Sequence, residues 1–328
     1  EPSDGLNRYK SGFFRFTATV SMPVVRGVTQ SPPGPTALTI GNFDGVHLGH
    51  RALLRKIKAT AEEKGLFPSI LTFEPHPREF FAPETAPARL STLREKLELV
   101  ADEGIALAWV IRFDDRMAKL EAQHFIERLL IGSLRVEHLI VGDDFRFGAK
   151  RQGTFAMLEE AGKHFGFAVE ALHSVIQDGE RVSSSAVRRA LGEGRMEAAA
   201  RLLGRPYVID GRVVLGRQLG RQLGVPTANI RIKHRNPPLI GVFAVEVSGL
   251  PGGPHNGVAN IGFRPSVDQG IQPLLEIHLL DFQQDIYGKH LSVRFLHKIR
   301  DEQKFPDLDA LKHQIFQDIH SARQYFSH

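Results

Sequence analysis

Ala37-Leu38-Thr39-Ile40-Gly41-Asn42-Phe43-Asp44-Gly45-Val46-His47-Leu48-Gly49-His50 decides the fold of the first half of the chain. Its apolar opening reads as a buried strand, and Gly41 and Gly45 permit a tight turn that brings backbone N–H groups close to a phosphate chain. The stretch from Leu48 to Lys64 then reads as helix. His47 and His50 are three apart on its opening turn, so both imidazoles share one face and reach the same anion. Each can donate a hydrogen bond that strengthens as charge builds up in a transition state, which is the chemistry of attack on an α-phosphate. A histidine pair at this spacing is usually incidental, and the strand, glycine turn and helix start around it are what give it meaning. As metal ligands the two lack a carboxylate on the right face and any thiol.

The same rhythm continues outward. Pro68 to Phe73 reads as a second strand; Ser91 to Glu103 carries Leu93, Leu97 and Val100 at helical spacing behind a serine N-cap candidate; Ala106 to Ile111 is a third strand. Gln123 to Leu130 leads into Leu139-Ile140-Val141-Gly142. Strands alternating with helices predict an α/β fold with a doubly wound parallel sheet, whose ligands bind at the carboxyl ends of the strands. Thr72-Phe73-Glu74-Pro75-His76-Pro77 and Val141-Gly142-Asp143-Asp144-Phe145-Arg146-Phe147-Gly148 both fall at such ends. Ser183-Ser184-Ser185-Ala186-Val187-Arg188 opens a helix with hydroxyls and a cation, which cap the helix or hold a phosphate.

The pattern changes at Gly204-Arg205-Pro206, after helical stretches Ser184 to Leu191 and Met196 to Leu203. Strand-like runs now follow one another: Tyr207 to Leu215, Val242 to Val247, Gly257 to Ile261, Leu274 to Leu280 and Leu291 to Leu296. Such spacing without helices between predicts an antiparallel barrel or sandwich, closed by a helix over Leu308 to Phe326. Two domains are therefore expected, 22–203 and 204–328, with 1–21 as a poorly structured extension before Met22.

In the second domain Thr227 and Asn229, two apart on an extended segment, would point a hydroxyl and an amide oxygen to one side, where they can meet Mg²⁺ and phosphate. Arg217 and Arg221 lie in the glycine-rich loop before them. Glu276 and His278 share a strand face whose opposite side is apolar, and a carboxylate there could take a proton from an alcohol. A solvent-facing glutamate would give the same pattern.

Composition excludes several classes. With no cysteine among 328 residues, disulfides, zinc-thiolate centres and thiol nucleophiles are ruled out, and a reducing cytoplasm is the expected location. No apolar run approaches the roughly 20 residues of a membrane helix, so no membrane partner is expected. A net charge of +5 suits anionic ligands but is spread along the chain. Assembly into an oligomer is not readable from the sequence.

Taken together, GNFDGVHLGH, TFEPHP, VGDDFRFG, the serine-arginine turn, PTAN, NIG-x-RP, LEIHLLDF and YGK occur in an order that resembles the bifunctional prokaryotic riboflavin kinase/FMN adenylyltransferase (FAD synthetase) family, from Val24 to the end. The resemblance implies an adenylyltransferase domain followed by a six-stranded barrel kinase with a C-terminal helix. Riboflavin, FMN, FAD and ATP would be its ligands. By that likeness His47 and His50 bind the ATP phosphates as FMN attacks the α-phosphate, in a pocket shared with Gly41, Asn42, Phe43 and Gly45. Asn42 and Asp144 would position nucleotide or flavin, and Ser184 with Arg188 would hold phosphates. Thr227 and Asn229 would bind Mg²⁺ and ATP with Arg217 and Arg221 nearby, Glu276 would activate the terminal ribityl hydroxyl, and Arg300 would belong to a flap over the flavin. Ser185 and Ser266 stand where the family usually has threonine, and Val225 where it usually has phenylalanine.

Two other readings compete. A tRNA-charging enzyme shares a His-x-Gly-His signature, but would also carry a lysine-rich signature loop and an anticodon-binding region, and the sequence has neither. A barrel that holds RNA would place aromatics along a cationic face, whereas Tyr207, Tyr287 and Tyr325 are scattered. Nucleic acid is not expected as a partner.

Overall fold

The computed structural model describes residues 22–28, 30–216, 224–232, 236–266 and 270–327. The extension before Met22 and the loop holding Arg217 and Arg221 lie outside the described residues. The chain forms two compact units, 1–87 with 92–182, and 88–91 with 183–328.

The first unit is built on a parallel sheet. Its strands are β1 (Val24–Arg26), β2 (Thr36–Ile40), β3 (Phe67–Glu74), β4 (Leu107–Arg112), β5 (Val136–Gly142) and β6 (Ala168–Leu172), laid out in the order β1-β4-β3-β2-β5-β6. Every pairing is parallel. β2 is buried along its whole length because helices cover both faces of the sheet. Alternate residues feed two cores: Leu38, Ile40, Leu71, Trp109 and Leu139 on one face, Ala37, Ile70, Ala108, Val110 and Ile140 on the other. The order reverses at β2, since the chain runs outward through β3 and β4 and then returns to place β5 on the other side of β2. That switch point opens a crevice at the carboxyl ends of β2 and β5.

Local chemistry sets the helix ends. Helix α1 (Leu48–Lys64) starts where the His47 ring accepts from the His50 backbone N–H, and stops at Gly65, whose φ of 66° is left-handed. Helix α2 (Pro77–Phe81) follows β3. Helix α3 (Leu93–Asp102) begins one residue later than the serine expected as its cap, because Thr92 and Glu95 form a reciprocal capping box. The helical run read over Gln123 to Leu130 is a short α-helical start, Ala122–His124, continued by a π-helical segment, Phe125–Ser133.

The second unit opens with α-helices Ser184–Gly192, capped by the Ser183 hydroxyl, and Met196–Leu203. The second of these packs on barrel strands, so the compact division falls at Val182/Ser183, ahead of the change of pattern at Gly204. A two-stranded hairpin, β7 (Ile176–Gln177) with β8 (Glu180–Arg181), precedes them. The barrel strands are β9 (Tyr207–Val214), β10 (Ala228–Arg231), β11 (Gly241–Ser248), β12 (His255–Ser266), β13 (Gly270–Leu279) and β14 (His290–Arg300). They close in the order β10-β13-β12-β11-β14-β9, all antiparallel, so the fold is an α/β parallel-sheet unit followed by an antiparallel six-stranded barrel. The C-terminal helix Leu308–Phe326, capped by Asp307, lies on the outside of the wall: Val242, Ala244, Val258 and Leu280 pack with Ala322 and Ile319.

Candidate functional sites

In the first unit the turn after β2 holds two non-glycine residues in the left-handed region, Phe43 (φ 48°) and Val46 (φ 39°), beside Gly45 (φ 78°). Such backbone costs about 1–3 kcal/mol per residue and persists only where its surroundings fix it. Here both side chains are fully buried in the core. Gly41 N–H donates to the Leu71 carbonyl, so it extends the sheet and is not turned to a ligand. The contribution of Gly41 is steric, since a Cβ there would lie 3.2 Å from the Phe43 ring.

His47 and His50 stack with centroids 3.7 Å apart and planes inclined by 18°, and Phe43 closes the group at 5.2 Å from His50. Gly49 makes room for this stack, because a Cβ there would meet the His47 ring at 3.2 Å. His47 Nδ1 accepts from the His50 N–H at 3.4 Å, so in the neutral ring the proton is on Nε2. Burial, then the neighbouring His47, then Lys96 hold the His50 pKa well below its ordinary value of 6.5. It is a neutral imidazole at physiological pH. Among the described residues neither His50 Nδ1 nor Asn42 Oδ1, both buried, has a hydrogen-bond partner, which suits polar atoms kept for a ligand.

Other features share the carboxyl edge of this sheet. Asp144, just past β5, is exposed and paired with Arg181 of β8 at 2.7 Å. Phe73, Phe80, Phe81 and Phe113 form an edge-to-face group with centroids 5.2–5.7 Å apart, and Phe81 is 66% exposed. Sequence reading passed over this group because its members come from two strand ends and α2, with no local spacing to mark them. Ser184 and Arg188 belong to the second unit, where Ser183 is the helix cap and Arg188 Nε donates to the Ala88 carbonyl.

In the barrel, strand register assembles the site. Asn229 of β10 lies directly opposite Glu276 of β13, and Glu276 opposite Asn260 of β12, so the three side chains form one row on the outer face of the wall. Asn260 was not among the candidates, because only the register brings it to Glu276. Asn229 is 5% exposed, its amide packs where Gly216 has no side chain, and its Oδ1, like that of Asn260, has no hydrogen-bond partner among the described residues. An orphaned amide oxygen is a hard donor of the type Mg²⁺ takes, so the residues fit that ion.

Glu276 and Asn260 of this row line a cavity of about 220 Å³ between the wall and the C-terminal helix. Its apolar side is made by Val225, Val242, Val258, Phe305, Leu311 and Ile319, and its polar side by Thr227, Asn260, Glu276, His278, Arg300 and Asp318. A second cavity of about 480 Å³ is lined by Pro226, Thr227, Phe282 and the segment Gln283 to Tyr287. Thr227 lines both. The Arg300 guanidinium faces the first cavity but is held by Asp318, and it stands 5.6 Å from the Phe305 ring.

Comparison with known proteins gives a consistent picture. Residues 29–186 match the FAD synthetase family model and residues 203–326 the riboflavin kinase model. The chain is 49% identical over 308 residues to a bifunctional riboflavin kinase/FMN adenylyltransferase of Escherichia coli strain K12, covering 93% of this chain and 98% of the relative. It is similarly 49% identical to the enzyme of that description from Haemophilus influenzae, with 89% and 94% covered, and 48% identical to the one from Pseudomonas fluorescens, with 92% and 97% covered. A crystal structure from Streptococcus pneumoniae, described as a macrolide-efflux protein, superposes with a TM-score of 0.77 at 28% identity over 92% of this chain and 98% of that one. Among the described residues no helix is long and apolar enough to cross a membrane.

Proposed function

Because the chain belongs to the bifunctional riboflavin kinase/FMN adenylyltransferase family, which phosphorylates riboflavin with ATP and then adenylylates FMN to FAD with release of pyrophosphate, we propose that the barrel site performs the first step and the histidine turn the second. The observation that carries the kinase assignment is Thr227, which borders two cavities, one of them lined by Glu276 and Asn260.

In the kinase step, the apolar side of the smaller cavity takes the flavin ring and the ribityl chain runs toward Glu276. Glu276 accepts the proton of the terminal hydroxyl, the oxygen attacks the γ-phosphorus of ATP held in the larger cavity, and ADP leaves. Thr227 and Asn229 are the residues that would hold Mg²⁺, which when bound neutralises phosphate charge. Asp318 keeps Arg300 oriented as one wall of the flavin cavity. Arg217 and Arg221 remain candidates for the nucleotide phosphates.

In the adenylyl step, a phosphate oxygen of FMN attacks the α-phosphorus of ATP and pyrophosphate leaves. His47 and His50 offer N–H donors to the oxygens on which charge grows. Asn42 contributes its buried carbonyl oxygen, Phe43 and Gly45 set the turn, and the phenylalanine group with Asp144 would receive the flavin. Ser184 and Arg188 are kept as phosphate ligands, supported by the family likeness. A cytoplasmic location is also part of this reading, supported by the use of ATP.

The test is to incubate the purified protein with riboflavin, ATP and Mg²⁺ and to chromatograph the flavins. FMN followed by FAD is expected, and no flavin conversion would overturn the reading.

A further inference from the structure

His278 has no part in the chemistry described so far. It lies two residues after Glu276 on the same face of β13, and both line the flavin cavity. Its Nδ1 is 2.9 Å from the carbonyl oxygen of Pro226. A carbonyl can only accept, so Nδ1 carries the proton and donates.

The acceptor is well placed. Pro226 immediately precedes Thr227, the residue that borders both cavities. The ladder between β10 and β13 has its first rung at Ala228 and Ile277, so Pro226 and Thr227 come before the paired strand. Pro226 has no N–H of its own to give, and upstream the chain turns through Gly224 at a φ of 80°, a conformation open to glycine at little cost. The buried Val225 side chain holds the segment from the apolar side, and the His278 bond ties the Pro226 carbonyl directly to the strand that bears Glu276.

We propose that His278 is a positioning residue for phosphoryl transfer: by donating to the Pro226 carbonyl it sets Thr227, which precedes the paired strand, at a fixed distance from Glu276, so that the metal-bound nucleotide and the activated hydroxyl meet. This rests on the reading of Thr227 and Asn229 as the MgATP residues.

The experiment compares His278→Ala with His278→Asn in the full-length protein, since an asparagine amide can donate from nearly the position of Nδ1. Loss of one hydrogen bond is expected to raise the KM for MgATP in the kinase reaction about tenfold in His278→Ala. FAD formation from supplied FMN should stay near wild type, and any change in the KM for riboflavin should be smaller than that for MgATP. Hydrogen exchange followed by mass spectrometry should show faster exchange in the peptide spanning Thr227 to Ile230, with other barrel strands unchanged. His278→Asn should return both readouts toward wild type. The clamp is overturned if His278→Ala leaves KM and exchange unaltered, or if His278→Asn is as impaired as His278→Ala. Thr227→Ala is the companion variant: accelerated exchange in His278→Ala, with an unchanged KM for MgATP in Thr227→Ala, would place the failure in the nucleotide reading of Thr227 and leave the clamp standing.

Discussion

Arg300 and Asp318 face each other in a bidentate pair, with Nε and Nη2 each 2.8 Å from a carboxylate oxygen. Gln314 adds a third donor to Asp318 at 2.9 Å, and Arg300 Nη1 donates to the Asp301 carbonyl at 2.9 Å. Asp318 is 4% exposed, so its charge is compensated almost entirely by protein. The pair ties the end of β14 to the C-terminal helix across the smaller cavity. Asp318→Asn should destabilise the barrel by roughly 3 kcal/mol, the scale of a broken buried pair. It should also raise the KM for riboflavin while FAD formation from FMN continues, as checked by urea unfolding and steady-state assay of each step.

Glu276→Ala should lower the rate of FMN formation about 10²–10⁴-fold, the usual contribution of a positioned base. FAD formation from supplied FMN should continue. His47→Ala should do the reverse and accumulate FMN. If either substitution abolished both steps in a folded protein, the two sites would not be separate.

Two glycines next to the proposed site residues Asn229 and His47 make paired predictions. Alanine at Gly216 would intrude on the Asn229 amide, and alanine at Gly49 would crowd the His47 ring at 3.2 Å. Gly216→Ala should raise the Mg²⁺ concentration needed for half-maximal kinase activity and leave adenylyl transfer intact. Gly49→Ala should slow adenylyl transfer alone. Magnesium titrations of each half-reaction distinguish these outcomes.

Phe81 is mostly exposed yet packs edge-on against Phe113 with centroids 5.6 Å apart. If the group is a flavin platform, Phe81→Ala should raise the KM for FMN in adenylyl transfer by about two- to tenfold, as expected for an aromatic contact worth about 0.5–1.5 kcal/mol. The melting temperature should hardly move, because the side chain is at the surface. An unchanged KM would remove the group from the site.

Burial lowers the pKa of His50 from 6.5 and also that of His138, where it outweighs Glu170, whose Oε2 is 3.5 Å from Nε2. Below about pH 6.5 the unfolded chain takes up protons that these folded imidazoles refuse, so stability falls with decreasing pH and is flat above it. Each ring contributes at most about 1.4 kcal/mol per pH unit in that range. His50→Asn should flatten the decline in unfolding free energy between pH 7.5 and 5.5. An identical slope in the variant would show that His50 takes up its proton as readily in the native protein as in the unfolded chain.

The alternation of strands and helices in the first half, the run of strands in the second and the histidine turn were legible because each rests on local periodicity, caps and turn residues within one short segment. β1 was not, since three residues are too few to show a period and its place beside β4 is a tertiary pairing. β10 was seen only as an extended segment bearing Thr227 and Asn229, because four residues after a glycine-rich loop carry little signal of their own. Local sequence set which chemical groups are present: an imidazole pair opening a helix, a hydroxyl-amide pair after a proline, a carboxylate on an otherwise apolar strand. Their partners came from the tertiary fold. Strand register put Asn260 and Asn229 on either side of Glu276, the C-terminal helix brought Asp318 to Arg300, and β13 carried His278 to Pro226. These contacts join residues distant along the chain, and their geometry follows from how the barrel closes and what packs on its wall, which no local pattern encodes.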